Sequence, residues 1–394
     1  MDSELRSAKE GRPAGRPSRV RVSAAMTTSD AIREPLVDPA RLERWLDQAG
    51  LGGDGLGDDG LGVDGLAGNR EPEIERITTG HSNEVFLIRR GGAQWVLRRP
   101  PRTPLSPTAH DMAREFQLLS ALSASNTLAA GHELPQVPIP EPVAFSPDAI
   151  GVPAYLMQPL DGLVVREAMP PLFAADPAAP TAIAHSLIDL LVTIHAVDWR
   201  RAGLGEFGRP DGYLTRQVPR WTGQLDRYRT RALPEVDEAA AWLASNTPEM
   251  QSPTIIHGDY KLDNVMFAPS LPVSPLAVLD WEQATIGDPL VDLGWLLGLW
   301  CDPGDSPVFG GANAALLGHG EVPTRAEMSA RYAAASGRDL THLDFYCVLG
   351  LFKLACVMEG SYARFKNGTS DDALFSFLEE GVPALARRAL EFAH

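Results

Sequence analysis

Two short apolar runs, each ending in a loop that carries an aspartate, constrain this chain more than any other feature of it. In the first, Thr254-Ile255-Ile256 leads into His257-Gly258-Asp259, and Val265-Met266-Phe267 resumes the apolar pattern directly after Asn264. In the second, PLAVLD delivers Asp280 at its end and continues as Trp281-Glu282. Apolar and β-branched residues bounded by Gly, Asp and Asn read as strands, so the pattern predicts strand, loop, strand, loop, with a carboxylate at each loop. An aspartate in a loop is by default a turn former. Two of them at the ends of apolar strands, with an asparagine between, make a site geometry.

Asp259, Asn264 and Asp280 offer hard oxygens, the ligands Mg²⁺ prefers. Asp259 is expected to accept the hydrogen bond of an attacking hydroxyl and align it on a nucleotide γ-phosphate, while Asn264 and Asp280 hold the metal. Phosphoryl transfer asks a protein for positioning and charge stabilisation rather than covalent work. Gly258 permits a tight turn beside His257, whose expected role is to hold the loop by hydrogen bonds rather than to move a proton.

Composition narrows the class. The 394 residues suffice for two modest domains or one two-lobed enzyme, and 44% hydrophobic with 22% charged residues is ordinary for a globular protein. A net charge of −16 argues against nucleic acid and anionic membrane as partners, although a nucleotide pocket holding Mg²⁺ sets its own local sign. The three cysteines, Cys301, Cys347 and Cys356, are too scattered for a disulfide framework or a zinc site. Cys347 and Cys356 fall in FYCVLGLFKLACVM and read as buried thiols. No run reaches the roughly 18 apolar residues of a membrane span. The N-terminus lacks a signal-like apolar core, so a cytoplasmic location is expected.

Residues 1–70 read as an N-terminal extension, disordered to about Pro39, with Met26 a candidate alternative start. Within it Leu42, Trp45 and Leu46 suggest a short helix at 39–50, and GLGGDGLGDDGLGVDGLAG reads as a flexible linker. Order is expected from Glu71. Residues 71–160 are strand-rich: EIERITTGHSNEVFLIRR and AQWVLRRP flank a Gly91-Gly92 hairpin, a helix follows at about 110–122, and Ala154 to Met157 form a second hairpin arm. In AQWVLRRP, alternation puts Trp95 and Leu97 on one face and Val96 and Arg98 on the other. Glu115 borders the apolar stripe of the helix, where a carboxylate calls for a cationic partner. Residues 161–394 are mainly helical, and in IGDPLVDLGWLL Asp288 and Pro289 mark a helix start. The expected architecture is α+β, a small antiparallel β-lobe followed by a larger helical lobe.

HGDYKLDN with VLDWE, then IGDPLVDLGWLL, resembles the aminoglycoside phosphotransferase and choline kinase superfamily, which shares the two-lobed protein-kinase-like fold. WVLRRPP, AHDMAREFQLLSAL and RQVPRWTGQL resemble a branch of it, the kinase-like domain attached to certain acyl-CoA dehydrogenases. The likeness runs from about Glu71 to the C-terminus. It implies ATP and Mg²⁺ as cofactors and a small-molecule hydroxyl as acceptor, with nothing indicated about oligomeric state. It implies that Gly80, Ser82 and Asn83 lie in the loop over the phosphates, although TTGHSNEVF read alone is only a hairpin turn. Relatives place a lysine against the α- and β-phosphates. Here that position is Arg98, with Arg99 adjacent, and an arginine fork differs from a point-charge ammonium. Glu115 is then the partner of Arg98, and Met157, Gln158 and Leu160 belong to the hinge that binds adenine. Asp292 would brace the catalytic loop through its backbone amides.

The acceptor is less legible. Arg216 and Arg220 in YLTRQVPRW suit an acidic acceptor if the segment is helical as far as Pro219, and a solvated basic face explains them equally. Glu359, Asp371, Asp372, Glu379 and Glu380 would suit a polycationic aminoglycoside, or simply the surface. The branch resemblance favours a hydroxylated metabolite of the hydroxyacyl-CoA type over an antibiotic. The alternative reading is a catalytically impaired nucleotide-binding regulator, suggested by Arg98 and the glycine-poor phosphate loop.

Overall fold

Alternating apolar positions build a five-stranded antiparallel sheet near the N-terminus. The computed structural model describes residues 35–51, 71–77, 83–102, 111–129, 136–305, 311–369 and 373–394. Strands β1 (Glu73–Ile77), β2 (Glu84–Arg90), β3 (Ala93–Arg99), β4 (Pro142–Ser146) and β5 (Ala154–Met157) lie in the order β1-β2-β3-β5-β4. β2 and β3 close at Gly91-Gly92, with Arg90 opposite Ala93. Trp95 and Leu97 leave one face of β3, and helix α1 (Pro39–Gln48) covers that face with Leu42, Trp45 and Leu46. Asp38 caps α1 by accepting the Arg41 N–H at 3.0 Å, and Pro39 opens its first turn. Against the other face lies α2 (Met112–Ala129), whose Met112, Leu118, Leu119 and Leu122 join the main core with Tyr155.

The chain engaged with this lobe thus begins before Glu71. Three apolar residues on one stripe of a ten-residue helix need a partner surface, and the back of the sheet supplies it. Arg90 fastens α1 there, 2.7 Å from Asp47. Helix α2 outruns its expected end near Leu122 because 123–129 holds no Gly or Pro. Asn126 also locks its far end to Val137, donating at 2.8 Å and accepting at 2.9 Å. Residues 1–34, most of the Gly-Asp-Leu run, Gly80 and Ser82 lie outside the described residues.

Beyond Gln158 the chain becomes helical: α3 (Pro171–Ala174), α4 (Ala179–His195), α5 (Tyr213–Leu225), α6 (Pro234–Ser245), α7 (Leu290–Gly298), α8 (Arg325–Ser336), α9 (Leu343–Lys366) and α10 (Leu378–Ala393). Helix α5 continues through Pro219, which is exposed, to Leu225. Five short strands interrupt the helices. β6 (Leu163–Val164), β8 (Val265–Phe267) and β9 (Pro275–Val278) form one sheet, and β7 (Thr254–Ile256) pairs with β10 (Thr285–Gly287). Because β7 pairs with β10 while β8 pairs with β9, the loops β7–β8 and β9–β10 are forced side by side. Helices α7 and α9 approach closely at glycine: a Cβ on Gly294 would stand 2.4 Å from the Tyr346 carbonyl carbon.

The result is a two-lobed α+β protein of protein-kinase-like fold, as the sequence predicts. Cys347 and Cys356 are buried free thiols. Among the described residues no helix is long and apolar enough to cross a membrane.

Candidate active site

The β7–β8 loop is held from below by a buried carboxylate. Asp292, in the first turn of α7 and fully buried, accepts the N–H groups of His257 at 2.6 Å and Gly258 at 2.8 Å. Burial would raise the Asp292 carboxyl, but His195 and the His257 amide hold it below the usual carboxylate range. Gly258 has φ +81°, and a Cβ there would meet the Gln283 carbonyl at 2.6 Å, so both conformation and space demand glycine. His257 Nδ1 accepts the Asp259 N–H at 3.2 Å, which assigns the proton to Nε2, and Nε2–H donates to the Leu279 carbonyl at 2.8 Å. The imidazole is therefore a strut between the two loops. Asn264 Nδ2 donates to the Asp259 carbonyl at 2.8 Å and to Asp259 Oδ2 at 3.2 Å, leaving its amide oxygen as an acceptor. Burial pushes the Asp259 carboxyl up, opposed by Lys261, Lys353 and His257.

Asp280 sits at φ 64°, ψ 61°, the one non-glycine residue at positive φ among the described residues. A backbone in this sparsely populated region marks a constrained position, and Arg98 holds the side chain of the same residue. From β3 its guanidinium hydrogen-bonds Asp280 Oδ1, lies 3.1 Å from Glu115 Oε2 and reaches 3.8 Å from Glu282 Oε2. Asn83 ties Glu282 to the small lobe by donating to Oε2 at 2.7 Å. One cation thus serves three carboxylates. The consequence is visible at Glu115, whose carboxyl is pushed up to about 7 by burial, with Asp280 and Glu282 adding to the effect and Arg98 opposing it. At Asp280 burial acts upward as well, but Arg98 outweighs it and holds the carboxyl below its ordinary range. Arg99 turns the other way, to the Leu36 and Pro100 carbonyls, so Arg98 is the arginine that faces the cleft.

Met157 pairs with Val96 at the end of β5, and the next residue, Gln158, donates its N–H to the Glu141 carbonyl at 2.8 Å. Gln158 is exposed and Leu160 half-buried, in the strap between the lobes. The sites expected for the acceptor divide. Arg216 is occupied by the Asp211 and Arg209 carbonyls, while Arg220 is exposed, its guanidinium carbon 4.9 Å from the Trp221 ring centre. Glu359 is not an acceptor-binding acid: it is fully buried and held by Arg231 at 2.8 Å. Its place on the inward face of α9, among Cys356 and Tyr362, required an internal cation. Glu379 and Glu380 are exposed at the start of α10, and Asp371 and Asp372 lie outside the described residues.

Three residues that the sequence reading left unassigned belong to the site: Glu282, Tyr155, which hydrogen-bonds Glu115, and Lys353. Lys353 Nζ donates to the Gly258 carbonyl and, at 2.8 Å, to Gln283 Oε1, over the Trp295 ring at 4.5 Å. Burial pushes its ammonium down to about 8, against the pull of Asp259 and Asp292. A lone lysine in the apolar run FYCVLGLFKLACVM was the available signal.

Residues 73–331 match the profile of the phosphotransferase enzyme family, APH. Acyl-CoA dehydrogenase family member 11 of Gallus gallus is 33% identical over 326 residues, covering 81% of this chain but 40% of the chicken protein. The chain therefore spans well under half the length of that relative. Among solved structures, a provisionally assigned aminoglycoside phosphotransferase from Ralstonia eutropha aligns at 28% identity and TM-score 0.70, covering 91% of this chain and 98% of its own. Choline kinase from Cryptosporidium parvum shares the fold at 11% identity and TM-score 0.53, covering 82% and 88% of the two chains. With two thirds of its length matched by the family profile, the chain belongs to the phosphotransferase enzyme family.

Proposed function

We propose that the protein is an ATP- and Mg²⁺-dependent O-phosphotransferase acting on a small hydroxylated metabolite. The observation that carries this reading is the gathering of carboxylates in the cleft: Glu115, Asp280 and Glu282 all lie within 3.8 Å of the Arg98 guanidinium, and the Asp259–Asn264 pair stands on the adjacent loop. A divalent cation suits carboxylate and amide oxygens gathered in this way. Among the described residues no three His, Cys, Asp or Glu side chains converge to hold a metal unaided. That suits Mg²⁺, which binds through one or two protein oxygens with substrate phosphates supplying others. Asn264 and Asp280 are the residues to hold it. When bound with ATP, Mg²⁺ supplies charge neutralisation on the phosphate oxygens.

The other roles follow from the side chains. Arg98, oriented by Glu115, grips phosphate oxygens, and Ser82 and Asn83 are further candidates to bind them. Adenine lies beside Met157, against the backbone of Gln158 and Leu160. Asp259 orients the acceptor hydroxyl and takes its proton as the new O–P bond forms and the β–γ bridging bond breaks, releasing ADP. Lys353, which feels both Asp259 and Arg220, makes the acceptor side cationic. A neutral or anionic hydroxyl compound suits it better than a polycationic aminoglycoside.

Asp259→Asn tests the reading. ADP release across a panel of hydroxyl acceptors should fall about a thousandfold, or about 4 kcal/mol of transition-state stabilisation, while Mg-ATP binding persists. Wild-type turnover in that variant defeats the assignment. Mg-ATP binding by the wild type without any product identifies a nucleotide-binding regulator instead.

A further inference from the structure

Lys353 is a half-buried charge in an apolar helix, flanked in the chain by the buried Phe352, Ala355 and Cys356, and drawing an ammonium away from water is unfavourable without compensation. The two oxygens it grips, the Gly258 carbonyl and Gln283 Oε1, are both neutral. The Trp295 ring centre lies 4.5 Å from Nζ and the Trp221 ring centre 5.6 Å. What the two oxygens have in common is position. Gly258 immediately precedes Asp259, and Gln283 ends the 3-10 turn Trp281–Gln283 that follows Asp280. We infer that Lys353 is a positioning residue for phosphoryl transfer: from α9 it clips the loop carrying Asp259 to the turn behind Asp280. This rests on the proposed phosphotransferase reading for its kinetic consequence, though not for its geometry.

The clip is held at a cost to folding. Its ammonium is depressed to about 8 from an ordinary 10.5, with Asp259 and Asp292 favouring the charge and Arg220 and Lys261 opposing it. A lysine depressed in the folded state binds its proton more weakly than in the unfolded chain. Stability therefore rises with pH between those two values, and the charged form is the less favourable one to fold. A purely structural lysine would work in the opposite sense.

The test compares the wild type with Lys353→Met, which keeps most of the stem over the indoles, and Lys353→Arg. Three quantities are read: kcat and ATP KM from ADP release, thermal midpoint, and amide hydrogen exchange in 257–264 and 281–287 without nucleotide. In Lys353→Met, kcat should fall about thirtyfold with ATP KM within about twofold. The midpoint should not drop, and both segments should exchange faster. Lys353→Arg should recover part of kcat. Wild-type kcat with unchanged exchange overturns the inference, as does a kcat loss matched by a fall in the thermal midpoint. If the wild type releases no ADP, the phosphotransferase reading fails and exchange alone decides. Acceleration in both segments then sustains the clip, and unchanged exchange refutes it.

Discussion

Asp259 and Asp280 bring like charges into one cleft from adjacent loops, and their surroundings push them in opposite directions. Asp259 is raised by burial, and its nearest donor is a neutral asparagine amide. Asp280 is lowered, because a guanidinium outweighs the same burial. Carboxylates driven apart in this way suit the proposed division between proton acceptor and charge holder. Their supports differ as well. The side chains that brace the Asp259 loop among the described residues belong to the large lobe: Asp292 below it, His257 beside it, Lys353 behind it. Asp280 is held by Arg98 and, through Glu282, by Asn83, both from the small lobe. The first aspartate is fixed within one lobe, whereas the second is shared between two. Opening the lobes would disturb Asp280 and leave Asp259 in place.

The largest expected effect sharpens that contrast. Asp280→Asn should weaken Mg²⁺-dependent ATP binding by about a hundredfold, about 2.7 kcal/mol, whereas Asp259→Asn should leave it intact. Calorimetric titration with and without Mg²⁺ separates the two. Equal affinities in both variants would erase the proposed division of labour. Next in size is Asp292→Asn, which exchanges a buried carboxylate that accepts two backbone N–H groups for a weaker acceptor carrying its own donors. Urea denaturation should show a loss of about 2–4 kcal/mol. A variant as stable as the wild type would mean that His257 and Lys353 suffice to brace the loop.

How much of this was readable in the sequence depends on how local each feature is. The placing of Asp259, Asn264 and Asp280 on two neighbouring loops was legible because the first two share one short loop and the third ends the next apolar strand. Arg98 and Glu115 were legible as candidates through alternation and helical spacing, and Arg98 was favoured over Arg99 by strand register alone. What escaped depended on non-local packing. α1 reads as a detached amphipathic helix until the bare face formed by Trp95, Leu97 and Phe86 exists to receive it. Glu359 and Lys353 lie six residues apart on α9, and only the neighbours brought in by the fold separate them. Arg231 claims the first, while the backbone of the Asp259 loop claims the second. Glu282 was in plain view two residues after Asp280, but its role comes from sharing Arg98 with two other carboxylates.

The smallest expected effect is also the one that most directly tests that shared arginine. The Glu115 carboxyl, ordinarily near 4.5, is raised to about 7 in the folded protein. A folded state that holds its proton more tightly than the unfolded chain gains stability from it fully below the lower value and loses that gain as pH climbs through the upper one. Ionised Glu115 is therefore the unfavourable form, because burial outweighs its ion pair with Arg98 and the nearby Asp280 and Glu282 add to the effect. Glu115→Gln keeps an oxygen for Arg98 and Tyr155 while removing the titration. The stabilities of the two proteins should converge below about pH 4.5. Above pH 7 the variant should be the more stable by about 1 kcal/mol, since relaxation of a buried charge absorbs part of the 1.36 kcal/mol carried by each pH unit. Denaturation curves collected across this range measure the difference. Should the wild type instead gain on the variant as pH rises, the ion pair with Arg98 outweighs the burial of Glu115, and the arginine is committed to Glu115 rather than shared with Asp280 and Glu282.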